Sequence, residues 1–579
     1  MRRVSVRRWL PTCILAAGTA LTAASSAQAP ATLILHTGKI VTLNSRSEVA
    51  EAIAVRAGRI LAVGRTADIL KLGESQTQVV DLGGRTVIPG LLESHSHPTS
   101  YGMHIFQPDL SKPATLAGIV QLVEAKVKQS QPGEWITNSR IWNETKLVEK
   151  RNPTRFDLDA VSPHNPVFLT RGHLGVANSA ALKAVGIDRD TPDPPGGTFE
   201  RDPRTGELTG RLYERAQDVM REALPPVTHE QLMAAQRQSY AELAAAGVTS
   251  VRSAADSPAG MRAYIELHNR GEIPLRTSVA IRMNPNQPVA DVERTLSESP
   301  VASGLGDEML SVWGIKMTAD GGSDLAYLRK EYVNRPGFRG QPGGTRENFV
   351  AAARLCNKYG WRLGIHALGD AAIDLVLDAY EAADRDSSIV GKRWSIEHGY
   401  MLHPEHLARI KRLGVMLHPQ TWHLYNLRRN FLENYGRDYA DMSHPYRKLL
   451  DAGIAIAGGT DWPLQPNDQF FYMWVAITRK TIDGEVVGAD QALTREEALR
   501  FHTLWAAYST FEEHVKGSLE PGKFADFVVL SADYLHVPED QVKDITPLLT
   551  VVNGKVVFNK DGALVKRSPA PANSERGRR

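Results

Sequence analysis

The sequence predicts an α/β protein: a (β/α)8 TIM barrel, a small composite β-sandwich domain built from both chain ends, and an inserted subdomain after the first barrel strand. Eight apolar segments alternate with helical segments between residues 87 and 514, as strands and covering helices do in a parallel barrel. Short apolar segments separated by turn residues begin and end the chain. A long interval, Pro98 to Val248, separates the first two barrel strands.

The composition is that of an ordinary soluble enzyme. The chain has 579 residues, more than one compact core usually holds, with 42% hydrophobic and 23% charged residues and a formal net charge of +3. A nucleic-acid partner would normally require a clustered basic face, so this balance argues against one. After removal of the leader described next, only Cys356 remains, and we expect no internal disulfide.

Residues 1–29 have the order of a signal peptide. Basic residues precede an apolar segment from Trp9 to about Ala24, and small residues follow. A membrane anchor is the alternative, but the apolar segment is shorter than the ~20 residues that a span needs. We therefore expect a periplasmic or secreted protein without a stable membrane anchor after cleavage.

The cleavage site and the export route each leave two alternatives. Cleavage after Ala27 or after Ala29 fits the small-residue rule, and Pro30 favours the first. The pair Arg7-Arg8 allows the twin-arginine route as well as the general secretory route.

The sequence at both chain ends predicts short antiparallel strands. In residues 30–86 the expected strands are Thr32–His36, Lys39–Leu43, Ala52–Val55, Ile60–Val63, Val79–Asp81 and Thr86–Ile88. In residues 515–566 they are Asp526–Leu530, Leu549–Val552 and Lys555–Phe558, with Asn553-Gly554 as a hairpin turn. Because isolated hairpins are marginal, we expect the two ends to pair into one domain, followed by a disordered tail over 567–579.

The barrel is expected over residues 87–514, with the insert at about 99–227. Its strands are predicted at Val87–Ser94, Val248–Ser253, Leu275–Ile281, Ser311–Met317, Arg362–His366, Trp394–His398, Val415–His418 and Ile454–Gly458. Capping residues bound the intervening helices. Thr228 with Gln231, Thr345, and Thr494 with Glu497 begin three of them, and Gly247 and Gly360 end the first two.

Six side chains of metal-binding or basic character stand at the ends of five predicted strands. They are His95, His97, Lys316, His366, His398 and Asp461. In a barrel of this type the carboxyl ends of the strands form the active-site mouth. Each residue alone has an ordinary explanation: a surface His-x-His pair, a hydrogen-bonded core histidine, or a surface lysine. Their coincidence at strand ends favours a site for zinc or a similar divalent ion.

The segment Val87 to His97, VIPGLLESHSH, resembles the signature of the amidohydrolase superfamily, in which a Pro-Gly turn leads into a metal-binding His-x-His. The segment Gly517 to Val528 resembles the return of that superfamily into its small β-sandwich. Further segments are similar to the amidohydrolase-3 branch, that of N-substituted formamide deformylase-like metal-dependent hydrolases: Gly172-His173, Asn178-Ser179, Gly196–Phe199 and Ile365–Asp370. The resemblance covers essentially the whole mature chain.

The resemblance implies a role for each of the six residues. His95 and His97 would bind the more buried metal with Asp461, which would also act as the general base. A carboxylated Lys316 would bridge two metals. The second metal would be bound by His366 and His398. The sequence departs from the family pattern at Glu93 and Asn143, where aspartate is common; Glu93 is not a ligand, whereas Asn143 bears on substrate recognition.

The resulting functional hypothesis is hydrolysis of the amide C–N bond of a small or medium-sized substrate by a metal-activated water. The resemblance places His173 over the pocket and so makes it the candidate donor to the oxyanion, with a capping role in the insert as its alternative. Substrate contacts are assigned to Trp142, His418 and Trp422, although such side chains are often core residues. Lactone hydrolysis, deamination or decarboxylation could use the same site, and a non-catalytic or metal-storing protein could keep the same fold. A homodimer is compatible with the sequence.

Overall fold

The computed structural model describes residues 29–101, 106–142, 144, 147–171, 174–194, 197–323 and 325–562. Numbered along the chain, its strands are β1 (Leu33–His36), β2 (Lys39–Val41), β3 (Val49–Ala50), β4 (Ala52–Arg56), β5 (Arg59–Gly64), β6 (Gln78–Asp81), β7 (Thr86–Pro89), β8 (Leu91–Ser96), β9 (Phe168–Arg171), β10 (Leu174–Ala177), β11 (Gly197–Arg201), β12 (Leu208–Glu214), β13 (Val248–Asp256), β14 (Arg276–Arg282), β15 (Leu310–Thr318), β16 (Leu363–Ala367), β17 (Ser395–His398), β18 (Met416–His418), β19 (Phe527–Leu530), β20 (Pro547–Val552) and β21 (Lys555–Asn559).

The α-helices lie mainly between the strands of the central region. They are α1 (Thr66–Ile69), α2 (Pro98–Tyr101), α3 (Leu116–Val127), α4 (Arg155–Leu158), α5 (Ser179–Ala184), α6 (Asp218–Ala223), α7 (His229–Ala245), α8 (Pro258–Asn269), α9 (Val289–Ser297), α10 (Arg346–Lys358), α11 (Asp370–Asp386), α12 (Pro404–Leu413), α13 (Thr421–Asn426), α14 (Arg428–Tyr435), α15 (Arg437–Met442), α16 (Tyr446–Asp451), α17 (Gln469–Thr478), α18 (Arg495–Phe501) and α19 (Leu504–Ser509). In the described part of the chain, no helix combines the length and the apolar character needed to cross a membrane.

The predicted helix starts are confirmed. Thr228 and Thr494 form capping boxes with Gln231 and Glu497, and Thr345 accepts a hydrogen bond from the backbone N–H of Asn348. These side chains satisfy backbone donors that a first helical turn leaves unpaired, which is why the sequence pattern located the helices correctly.

Seven parallel strands form the central sheet, in the order β18-β17-β16-β15-β14-β13-β8. The segment 454–458 lies between the two edges of this sheet. The N–H of Leu417 donates to Ala455 O at 3.1 Å, and the N–H of Ser94 donates to Gly458 O at 3.2 Å. The barrel sheet is therefore nearly closed.

Two predicted strand boundaries are wrong. The predicted eighth strand, Ile454–Gly458, forms an isolated bridge between Ile456 and Leu417, because Gly458 donates its N–H to Phe501 O rather than to a neighbouring strand. The predicted first strand divides at Gly90 into β7, which joins another sheet, and β8. A side chain at Gly90 would meet Thr249 at 2.1 Å, so the division requires glycine.

The strands of the two chain ends share one sheet, in the order β21-β20-β19-β7-β2-β3, in which β19 pairs antiparallel with β7. A second sheet has the order β5-β4-β1-β6. Residues of both sheets enter one apolar cluster, with Leu35 and Ile53 from the second sheet and Phe527 and Leu549 from the first. The first barrel strand, β8, therefore follows directly from these two packed sheets, because β7 leads through Gly90 into β8.

The region between β8 and α7 contains its own antiparallel sheet, in the order β11-β12-β10-β9. Trp142 and Leu158 lie in one apolar cluster of this region, and Phe168 and Leu212 lie in another. Nearly all of the predicted signal peptide and the whole predicted tail over 567–579 lie outside the described residues.

Candidate metal centre

The barrel brings the four predicted histidines to one place at the carboxyl ends of its strands. The ring centroids of His95 and His97 are 5.2 Å apart, those of His95 and His398 4.9 Å, and those of His366 and His398 4.4 Å. Alternation along β8 points His95 and His97 to the same side, as expected from the His-x-His spacing.

His95, His97 and Asp461 form a cluster whose ligand atoms all lie within 4.8 Å of one another. Asp461 Oδ1 is 3.1 Å from His97 Nε2 and 3.5 Å from His95 Nε2. Both Asp461 Oδ1 and His95 Nε2 are buried, and neither has an aligned hydrogen-bond partner among the residues that the structure describes. Unsatisfied buried polar atoms are costly, and a divalent cation would satisfy both, so this donor set fits a metal.

The other ring nitrogen of three histidines is held by an acceptor. His95 Nδ1 lies 2.5 Å from Glu397 Oε2, His97 Nδ1 lies 2.6 Å from Ala254 O, and His398 Nδ1 lies 2.5 Å from Gln420 Oε1. An acceptor at Nδ1 places the proton there and leaves the lone pair on Nε2, which is how metal-binding histidines are oriented.

Glu397 connects the histidines to a buried arginine. Its carboxylate accepts from Arg252 at 2.7 Å and 3.1 Å, from Ser395 Oγ at 2.6 Å and lies 3.1 Å from His418 Nδ1. Burial raises the pKa of Glu397, but the charges of Arg252, His418 and His95 outweigh it and hold that pKa well below its usual value. The sequence analysis missed both Glu397 and Arg252, although a glutamate inside a fully buried strand was a signal for them.

Lys316 is 3% exposed and lies on the inward face of β15. Burial lowers its pKa to about 8, although the nearby charges of Glu397 and Asp461 act in the opposite direction. An amine at Lys316 could also pair with Asp320 or Asp324, which are nearby in sequence. Asp320 instead accepts the backbone N–H groups of Tyr327, Leu368 and Gly369, and Asp324 lies outside the described residues.

Glu93 fixes the loop that carries Asp461. Glu93 accepts the N–H of Thr460 at 2.8 Å and its hydroxyl at 2.7 Å, and the N–H of Asp461 donates to His95 O at 2.9 Å. Asp461 itself has φ 63°, a conformation that costs free energy outside glycine and is typical of functional sites. The glutamate at position 93 thus holds the loop of Asp461 through its hydrogen bonds to Thr460.

The remaining predicted site residues occupy different surroundings. Trp142 is buried in the insert and donates Nε1–H to Asn152 Oδ1 at 2.9 Å. Trp422 is half-buried against Tyr425 and Phe471. His418 is fully buried beside Glu397, which favours a supporting position over a substrate contact.

His173 and Asn143 lie outside the described residues.

A second polar network, also missed by the sequence analysis, supports His398. Tyr400 donates its hydroxyl to Gln420 Oε1 at 2.7 Å and also contacts His423 Nδ1. The ring of His423 is 6.0 Å from that of His398. Tyr400 follows β17, whereas Gln420 directly precedes α13 and His423 lies in its first turn, so only the fold brings the three side chains together.

Comparisons with known proteins agree with this geometry. The family model described as the amidohydrolase family matches residues 78–558. N-substituted formamide deformylase of Arthrobacter pascens is 28% identical over 543 residues, which cover 92% of this chain and 99% of that protein. Protein LONG AFTER FAR-RED 3 of Arabidopsis thaliana is 30% identical over 541 residues, covering 91% and 92%. An uncharacterized metal-dependent hydrolase from Pyrococcus furiosus superposes with a TM-score of 0.70 at 25% identity, covering 87% of this chain and all of that one.

Proposed function

The chain belongs to the amidohydrolase family, and from that membership we propose that it is a metal-dependent hydrolase of a non-peptide amide C–N bond. The observation that carries the proposal is the cluster of His95, His97 and Asp461, in which two buried ligand atoms lack an aligned hydrogen-bond partner in the described part of the chain. A structural or storage site would not need a carboxylate that can also accept a proton, whereas a hydrolase would.

We assign the metal ligands to six residues and propose zinc as the ion, with one or two per chain. They are His95, His97 and Asp461 for the more buried ion, His366 and His398 for the second, and carboxylated Lys316 between them. When bound, the metal supplies Lewis acidity and lowers the pKa of water in the site. Imidazole and carboxylate are the donors that this ion prefers.

Carboxylation of Lys316 is consistent with its surroundings. A protonated ammonium beside metal cations would be repelled, and it would be poorly solvated because Lys316 is buried. The neutral amine, favoured by the lowered pKa of Lys316, can attack CO₂; a C–N bond forms and one proton leaves. The product is an anion with two oxygens, which offsets cationic charge.

Asp461 acts as the general base in this proposal. Its Oδ1, which lies 3.1 Å from His97 Nε2, is the oxygen that would bind the metal, and the other carboxylate oxygen would accept a proton from the attacking water. It then delivers that proton to the leaving nitrogen. The hydrogen bonds of Glu93 to Thr460 hold the loop, so the carboxylate keeps its position through both transfers.

We also propose that the protein is exported and acts on its small-molecule substrate in the periplasm or outside the cell. Residues 1–29 have the charge and hydropathy order of a signal peptide, which supports this. Neither a nucleic acid nor a stable membrane anchor is among the proposed partners, and a homodimer is compatible with the proposal.

A substrate screen tests the proposed reaction. Purified protein is assayed against N-substituted formamides, N-acyl amino acids, aryl amides and lactones. The relative from Arthrobacter pascens is named for deformylation of N-substituted formamides, so that class comes first. We expect amide hydrolysis whose rate depends on added zinc. Turnover of lactones alone, or deamination or decarboxylation without amide cleavage, would contradict amide hydrolysis and identify the reaction instead. Binding without turnover would indicate a non-catalytic protein.

A further inference from the structure

Arg282 ends the third barrel strand beside Lys316. The register of β14 and β15 pairs these two residues, and the N–H of Met283 donates to Lys316 O at 2.9 Å. Both side chains stand at the carboxyl ends of their strands, where the barrel opens.

The side chain of Arg282 belongs to the inward face of the barrel. On β14, Thr277 Oγ1 forms a hydrogen bond of 2.8 Å with the hydroxyl of Tyr240 on the outer helix α7. Because side chains alternate along a strand, Thr277 and the odd-numbered positions after it face outward. Ser278 faces inward and meets Ser311 at 2.9 Å. Arg282, in step with Ser278, therefore faces the mouth of the barrel.

Arg282 is exposed, and its side chain makes no ion pair or hydrogen bond with any residue in the described part of the chain. By contrast Arg276, at the other end of the same strand, is buried and paired with Asp526 at 2.6 Å. Burial is the main cause of the lowered pKa of Lys316, and the charge of Arg282 adds to it. The charge of Arg282 also lowers the pKa of Asp256, which burial as the larger effect raises. Both effects are in keeping with a guanidinium at the barrel mouth, where the strand register places it.

The rim that carries Arg282 is fixed by hydrogen bonds. Asn286 donates Nδ2–H to Gly343 O at 2.7 Å and accepts from Asn348 Nδ2 at 3.0 Å. A side chain at Gly344 would meet Asn286 Oδ1 at 2.3 Å, so the two loops are in close contact. The strand end is thus held in place, while the Arg282 guanidinium has no partner among the described residues.

We propose that Arg282 binds a carboxylate of the substrate, and that the substrates are therefore amides carrying an anionic group close to the scissile bond, such as N-acyl amino acids. This inference rests on the proposed function. A planar guanidinium binds a carboxylate through two parallel hydrogen bonds, and an unpaired one at a strand end gives up no other contact to do so.

The test compares two substrates of matched size, N-formylglycine and its neutral amide N-formylglycinamide. Wild type, Arg282→Met, Arg282→Lys and Arg294→Met are assayed; Arg294 is a matched control, an exposed arginine on the outer helix α9 paired with Asp291. We expect wild type to favour the anionic substrate in kcat/KM. The ratio of the two kcat/KM values falls about tenfold in Arg282→Met, on the scale of one charge-assisted hydrogen bond, and less in Arg282→Lys. In Arg294→Met the ratio stays at the wild-type value.

Two outcomes overturn the inference while leaving the proposed function intact: an unchanged ratio in Arg282→Met, or an equal loss for both substrates together with loss of metal. If neither compound is hydrolysed by wild type, the proposed function fails for this class of substrate. Calorimetric binding of the same two compounds then tests whether Arg282 binds the carboxylate. Preferential binding of N-formylglycine that is lost in Arg282→Met supports the inference, and its absence contradicts it.

Discussion

Asp461→Asn is expected to lower kcat by at least about 100-fold while the protein stays folded. The amide keeps the shape of the side chain but cannot accept a proton, and it is a weaker ligand beside His95 and His97. Steady-state kinetics on the best substrate of the screen measure the loss, and circular dichroism with thermal unfolding checks the fold.

Asp483→Asn is the matched control for this variant. Asp483 is an exposed carboxylate paired with Arg429 on the surface, and its substitution is expected to leave kcat at the wild-type value. If Asp461→Asn retains near-normal turnover, the base is another residue and the assignment of Asp461 fails.

Lys316→Ala is expected to lose the second metal and most of the activity. The alanine removes the only proposed anion between the two ions, so their mutual repulsion is no longer offset. Metal content per chain and kcat are measured on the same preparation. Lys480→Ala, which removes a surface lysine paired with Asp540, is the control and should keep both.

Short-chain carboxylates such as acetate or propionate should partly restore the activity of Lys316→Ala, because they can replace the lost carbamate oxygens. A high-resolution map of the wild-type protein that shows a bare lysine amine with both metals present would contradict the bridging role. In that case Lys316 would act as an amine beside Glu397 and Asp461, whose charges act on it already.

Much of the metal centre could be predicted from the sequence because barrel topology constrains it strongly. Parallel strands place their carboxyl ends at one mouth, so residues as distant as His95 and Asp461 meet once their strands are located. Local signals were equally informative for helices: the hydroxyl of Thr228 and the side chain of Gln231 satisfy the first turn of α7 as the pattern predicts.

The sequence could not predict contacts between side chains that are distant in the chain and meet only in the folded structure. Glu397 and Arg252 are far apart in the chain, and only the packed barrel brings them within 2.7 Å. A charged residue in an apolar strand indicates that it has a partner, but it does not identify that partner. The division of the first strand at Gly90 follows in the same way from the close approach of Thr249, which no local pattern records.

Elemental analysis of the purified mature protein, before and after treatment with a chelator, tests the metal centre most directly. We expect about one or two divalent ions per chain, zinc above all, as imidazole and carboxylate donors favour. Hydrolytic activity should fall with the metal content and return when zinc is added. A metal-free protein whose full activity is untouched by the chelator would contradict the metal centre formed by His95, His97 and Asp461, and with it the proposed mechanism.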